Sequence, residues 1–276
     1  MNINFSELLK NNYQNITYKN NSLYIEGDLK LTVVFDIDVD TLNVVVKDGN
    51  IELIEINPNY KKINIEIKEN AVVKHSKILL NNSNINSCET TCNNYGKYDL
   101  FVIDLFTGSD DLKTTINLLG EGSQSHYRSS IVTNNGTKKK HVVEVKNMAR
   151  YSVGDILNYG VVYGDAILDI TGIGDIQKGA KMSVAKQKTN IVTFDEKSKG
   201  YARPFLYIAE DDVQASHDTA VGMIDENIIF YMCSRGVRIE DAKRFIALGY
   251  FKPIIKELDD VQVESDIIGY LEGVIK

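Results

Sequence analysis

Apolar and polar positions alternate over short runs through most of the chain, with a period of two. LTVVFDIDV (31–39), TLNVVV (41–46), IELIEI (51–56), INIEIKENAVV (63–73) and DLFVIDLF (99–106) are rich in Ile, Val and Leu. That is the pattern of strands with a buried face. Asp48-Gly49-Asn50, Asn81-Asn82 and Gly108-Ser109-Asp110 punctuate them as turns. HVVEV (141–145), AILDITGI (166–173), NIVTF (190–194) and PFLYIAE (204–210) carry the same texture onward. Strand-like cores therefore recur every two dozen residues or fewer, roughly the chain that one coil of a parallel β-helix consumes. Each such coil buries its apolar face only against its neighbours. A β-sandwich gives similar spacing, and pattern alone does not separate the two.

The period changes at both ends. Leu8, Leu9 and Tyr13 fall at helical spacing and predict one short helix in the first dozen residues. From Asp225 the apolar residues Ile228, Ile229 and Met232 are again helically spaced, with Asp225 and Glu226 in the first turn. Ser234-Arg235-Gly236 reads as a helix end with a C′ glycine. A second helix runs over IEDAKRFIALGY and is expected to stop at Gly249, and a third covers Ser265 to Ile275. The expected layout is a short segment over 1–20, a β body over 21–224 and a helical subdomain over 225–276.

Composition narrows the function classes. The 276 residues are 43% hydrophobic, ample for one large domain or two small ones. A net charge of -7 argues against non-specific nucleic-acid binding, which needs a basic face. Lys138-Lys139-Lys140 reads as a solvated turn. No run reaches the roughly 18 apolar residues of a spanning helix. The start, MNINFSELLKNN, lacks the basic and apolar regions of a secretory signal. Three cysteines do not make a disulfide framework, so a reducing, cytoplasmic setting is expected.

Few stretches carry chemistry on their own. The run from Gly174 to Lys181 resembles a phosphate loop but has Ala180 where lysine is needed, so Gly172 and Gly174 read as turn glycines. Cys88 and Cys92 are half a metal site at most and read as unpaired thiols in a turn. Cys233 lies on an apolar helical run, where small buried thiols are common. His75, His126 and His141 are scattered singly, and His141 has no evident partner. His217 differs: it closes a predicted strand within AEDDVQASHDTAVGMIDEN (209–227), with Asp211 and Asp212 before it and Asp218 after. Neutral imidazole suits iron or zinc. Successive strand residues face opposite ways, so His217 and Asp218 share a face only if the strand ends or bulges there.

The run from Ala209 to Leu258, AEDDVQASHDTAVGMIDENIIFYMCSRGVRIEDAKRFIALGYFKPIIKEL, resembles the SufB/SufD family of iron–sulfur cluster assembly proteins, more closely on its SufD side. LLGEGSQSHYRSSIV (118–132) and AKQKTNIVTFDEKSKGYARPFLYIAEDDV look like coils of the same family, and the resemblance covers about residues 60–258. It implies a right-handed parallel β-helix with a small C-terminal α-helical subdomain. It further implies a non-catalytic scaffold that pairs with a SufB-like chain, or with itself, through the β-helix. A SufC-type ABC ATPase would dock on the C-terminal helices. A transient iron–sulfur cluster or iron would sit at the subunit interface, with none expected in the isolated chain. His217 matches the family's ligand position, and Asp218 supplies a carboxylate beside it. The cysteine of SufB-like chains falls near Ser198, where this chain has no thiol. Ser234, Arg235, Gly236, Phe245, Gly249 and Phe251 match the docking segment for the ATPase. Neither nucleic acid nor membrane is an expected partner. The alternatives are a β-helical carbohydrate-active enzyme, which needs carboxylates along a groove, and a structural β-helix without metal.

Overall fold

The computed structural model of the chain describes residues 2–11, 13–80, 87–258 and 261–274. Two nine-stranded sheets face each other. The first runs from Asn2–Asn4 through Leu29–Val34, Gly49–Ile56, Ala71–Leu79, Lys97–Asp104, Gln124–Thr133, Val153–Val162 and Val184–Thr193 to Gln214–Met223. The second runs from Ile16–Lys19 through Ser22–Ile25, Val39–Val46, Tyr60–Ile67, Ser87–Asn94, Asp110–Leu118, Lys138–Asn147 and Ile167–Ile176 to Lys199–Ile208. Apart from the antiparallel hairpin of Ile16–Lys19 with Ser22–Ile25, the named strands pair in parallel. The chain is thus a parallel β-solenoid, each coil giving one strand to each sheet. The antiparallel sandwich is excluded.

Alternation sets which residues fill the interior. Val153–Val162 is typical, with every second residue buried and pointing inward. Register then stacks these positions into columns. Leu53, His75, Leu100, Tyr127, Ile156 and Gln187 are successive partners in the first sheet and all are buried. On the outer face the partners Lys30, Glu52, Lys74, Asp99, His126, Asp155 and Lys186 include ion pairs across neighbouring strands, Lys30–Glu52 at 3.1 Å and His126–Asp99 at 2.7 Å. Opposite charges on adjacent strands favour this register over a slipped one.

The later halves of the central first-sheet strands are buried on both faces. In Lys97–Asp104 the last five residues are all buried, as expected of strands covered on both sides. Ile54, Ile78, Phe101, Ile103, Val132, Val161 and Val192 form the outer patch. The helices Ile239–Ile255 and Val261–Val274 lie over it, with Ala247, Phe251, Ile254, Ile267 and Leu271 buried in the same cluster. Among the described residues, no helix is long and apolar enough to cross a membrane.

Several local expectations change. LTVVFDIDV is divided between two strands, as is INIEIKENAVV. Gly249 does not stop its helix, which continues past Pro253 to Ile255. Gly172 and Gly174 lie inside the strand Ile167–Ile176 and face inward. A Cβ on Gly172 would meet Gln187 Oε1 at 2.7 Å, so the glycine makes room for that side chain. Lys138-Lys139-Lys140 opens a strand, and Lys139 is fully buried. Cys88 and Cys92 lie in the strand Ser87–Asn94 and point inward. Asn81-Asn82 and Ile275 fall outside the described residues.

The two ends of the solenoid differ. At the N-terminal end Ile3, Phe5, Leu8 and Ile16 are buried, and the helix Phe5–Leu8 with the hairpin closes the core. At the other end the last coil is largely exposed on both strands. Tight stacking near the closed end depends on Gly49, at φ 89°, where a Cβ would lie 2.4 Å from the Gly27 carbonyl. Gly49→Ala therefore adds left-handed strain to a backbone overlap. Its expected cost is about 2–4 kcal/mol, read from urea denaturation.

Candidate functional site

The open end brings His217 to prominence. Gln214–Met223 and Lys199–Ile208 each have a hydrogen-bonded neighbour on one side only. His217 is the fourth of ten residues in its strand, not its last, and the pairing with Val184–Thr193 is unbroken around it. It stands next to Gln187 in register and so continues the inward column at the solenoid's mouth. It is exposed because no further coil covers it.

Asp218 leaves the opposite face. Its carboxylate accepts from Lys188 Nζ at 2.8 Å, and that lysine holds it below the usual carboxylate range. The expected pairing of His217 with Asp218 as joint ligands is therefore not formed within this chain. Gln187, one coil deeper, is engaged through Nε2 with the Phe205 carbonyl at 2.8 Å. Ser198 donates from Oγ to Asp195 at 2.7 Å in a turn. Beside the free edge runs a groove of about 750 Å³ lined by Val221, Met223, Ile228, Ile246 and Tyr250.

The helical residues divide. Asp225 caps the helix Glu226–Ser234, accepting from Asn227 N at 2.9 Å. Gly236 follows with φ 88°, as its C′ position requires. Ser234, Arg235, Gly236, Phe245 and Gly249 are exposed. Phe251 is not: it is fully buried between helix and sheet and is unavailable to a partner in this arrangement. Sequence reasoning missed Phe230 and Tyr231, 76% and 59% exposed, which join Phe245 at 55% as large aromatic residues reaching solvent on the first two C-terminal helices. The run IIFYM, apolar around the whole helix, was the available signal. Glu226–Ser234 buries none of its residues, and Cys233 is half-buried on it.

Two polar clusters inside the solenoid were not anticipated. In the first, Tyr60 donates to Glu55 Oε2 at 2.5 Å and His75 Nε2 stands 3.0 Å from the same oxygen. Tyr98 OH lies 2.8 Å from His75 Nδ1. Burial pushes the His75 pKa down, against the pull of Glu55. Burial alone would raise Glu55, but His75, Lys77 and Tyr60 hold it below its ordinary value. Lys77 donates to Thr90 at 2.6 Å nearby. Burial raises the pKa values of Cys88 and Cys92, so both stay protonated and are poor metal ligands.

The second cluster joins the sheets at a lateral turn. Lys139 Nζ donates to Asp104 Oδ1 at 2.5 Å and lies 3.5 Å from Asp110 Oδ2. His141 Nε2 is 3.1 Å from both Asp104 Oδ2 and Asp110 Oδ1. All four residues are buried. Burial opposes charge on Asp104, yet Lys139 and His141 bring its pKa to about 2. Burial and the Asp104 charge raise Asp110. Burial likewise opposes charge on His141, and the two carboxylates outweigh it, lifting its pKa to about 9. The histidine expected to lack a partner has two. His126, the remaining one, pairs with Asp99.

Comparison with known proteins places these features in a family. The model for the core domain of SufB and SufD proteins, of the SUF system for iron–sulfur cluster assembly, matches residues 50–250, well over half the chain. The chain is 31% identical over 164 residues to the iron–sulfur cluster assembly protein SufD of Bacillus subtilis, covering 59% of this chain and 38% of that protein. It is 23% identical over 141 residues to SufB of the same organism, covering 51% and 30% of the two chains. A SufBD family protein of Mycobacterium leprae is 27% identical over 141 residues, 51% of this chain and 16% of the relative. The matches thus span well under two thirds of each relative's length. A parallel β-solenoid under a helical cover, with this match across its body, is a member of the SufB/SufD core family of SUF iron–sulfur cluster assembly proteins and is SufD-like.

Proposed function

We propose that this chain is a non-catalytic scaffold subunit in which the open end of the solenoid is the pairing surface and His217 is a ligand to the cluster or iron built there. The observation that carries this reading is the asymmetry of the ends. One is closed by buried apolar residues, and the other leaves two ten-residue edges and an imidazole-bearing column uncovered. Solenoid ends need a cap, and an unpaired strand edge is a template for another chain. Pro204 lacks an N–H and blunts the edge of Lys199–Ile208, while Gln214–Met223 has no proline. The seam therefore runs along Gln214–Met223, with a SufB-like chain or a second copy as partner. The cluster is cargo, and the thiolates that iron prefers come from the partner. Asp218 stays with Lys188 until docking rearranges the edge.

The SufC-type ATPase docks on the exposed Phe230, Tyr231 and Phe245, together with the exposed Ser234, Arg235 and Gly236. Nucleotide-driven closure of the ATPase then shifts the paired solenoids, by its higher affinity for the shifted arrangement.

Anaerobic co-purification with a SufB-like chain and a SufC-type ATPase, followed by reconstitution with iron and sulfide, tests these roles. His217→Ala is expected to keep both partners and lower cluster yield roughly tenfold or more. Val221→Arg is expected to lose the SufB-like partner, and Phe230→Ala with Phe245→Ala to lose the ATPase. A His217→Ala chain that loses the ATPase while keeping full cluster yield overturns the assignment.

A further inference from the structure

The geometry points to a second, internal metal site: Asp104, Asp110 and His141 form a three-ligand site for a divalent transition-metal ion, held in competition with the Lys139 ammonium. One ligand comes from the end of a first-sheet strand and two come from neighbouring second-sheet strands. The three donor atoms lie within 4.8 Å of one another, and all three residues are buried. His141 Nε2 is equidistant, at 3.1 Å, from an oxygen of each aspartate. One N–H cannot point straight at two acceptors. The two His141–carboxylate separations suit a shared ion, since donors about 2.1 Å from a metal stand about 3.0–3.4 Å apart at right-angle or tetrahedral coordination.

Asp110 Oδ2 adds a second observation. It is buried and accepts no hydrogen bond, and Lys139 Nζ stands 3.5 Å away. One imidazole with two carboxylates suits zinc, iron(II), manganese or cobalt, and does not suit copper(I). Lys139 now supplies part of the positive charge the carboxylates need, under the half-buried ring of Phe106, 5.9 Å from its centroid. A metal would displace the His141 Nε2 proton to solvent, take over that role and strap the two sheets together across the turn 105–109. This site lies several coils from His217 and shares no residue with the seam.

Cobalt(II) is the probe, because its visible absorption reports nitrogen–oxygen ligation without any cluster assembly. The full chain carrying His217→Ala, which removes the seam ligand, is stripped with chelator and titrated with cobalt(II). Bound metal is counted after gel filtration. The expected result is one equivalent per chain, lost in His141→Gln. Lys139→Met is expected to bind about tenfold more tightly. Its stability, lowered in chelator, is expected to recover as cobalt is added. If His141→Gln does not fold, Asp110→Asn gives the same readout. Absence of stoichiometric binding by the Lys139-bearing chain overturns the site, as does binding that survives His141→Gln. Binding by Lys139→Met alone also overturns it, because the lysine then keeps the site shut in the natural protein.

Discussion

Asp104→Asn is expected to destabilise the metal-free protein by about 3–5 kcal/mol, measured by chemical denaturation. Asp104 is fully buried and meets two cationic groups, Lys139 Nζ at 2.5 Å and His141 Nε2 at 3.1 Å. The amide keeps the shape and removes the charge. Lys139 and His141 then share Asp110 alone, one at 3.5 Å and the other at 3.1 Å. An uncompensated charge inside a protein costs far more than a surface ion pair contributes. The control is Asp104→Asn combined with Lys139→Met, which removes one charge of each sign. That pair is expected to be more stable than Asp104→Asn alone, and non-additivity of this kind identifies direct coupling.

Stability in chelator is expected to fall on the alkaline side by about 3 kcal/mol, at about 1.4 kcal/mol per pH unit. His141 has its pKa lifted from 6.5 to about 9 by the two carboxylates. Folding therefore favours the protonated form. The contribution is complete below pH 6.5 and disappears as pH rises through about 9. His75 acts in the opposite direction. Burial lowers its pKa from 6.5, so the unfolded chain takes up a proton first and stability declines as pH falls below that value. By themselves the two histidines place the maximum near pH 6.5. Denaturation midpoints across the alkaline range are the measurement. His141→Gln, starting from a lower stability, is expected to flatten that limb, and an unchanged slope in this variant would refute the assignment.

Local pattern carried the architecture a long way. Period-two runs such as IELIEI became strands because alternate side chains enter the core, whatever the partner strand is. Asp225 and Gly236 marked a helix's ends because capping is settled within a few residues. Coil length hid the repeat. It grows from 22 residues between Asn50 and Val72 to 31 between Val153 and Val184, so no fixed period appears in the sequence. Gly249 misled for a related reason: burial of Ile254 and Ile255 on the sheet carries the helix past a residue of low helix propensity.

The candidate site was legible only where its chemistry is local. His217 could be singled out, but whether it faced inward, and whether Asp218 joined it, depended on an unbroken register with Val184–Thr193. Lys138-Lys139-Lys140 looked like a solvated turn because no acidic residue lies within three positions of it. Its counter-charges stand 35 residues away at Asp104 and 29 away at Asp110. What the sequence determined by itself was strand and helix identity, set by periodicity and by caps that short-range sterics enforce. The tertiary structure alone decided which charges are buried, which end is open and which aromatic residues reach solvent. Those depend on stacking one coil on the next, a contact between residues some 21–32 positions apart that no local pattern encodes.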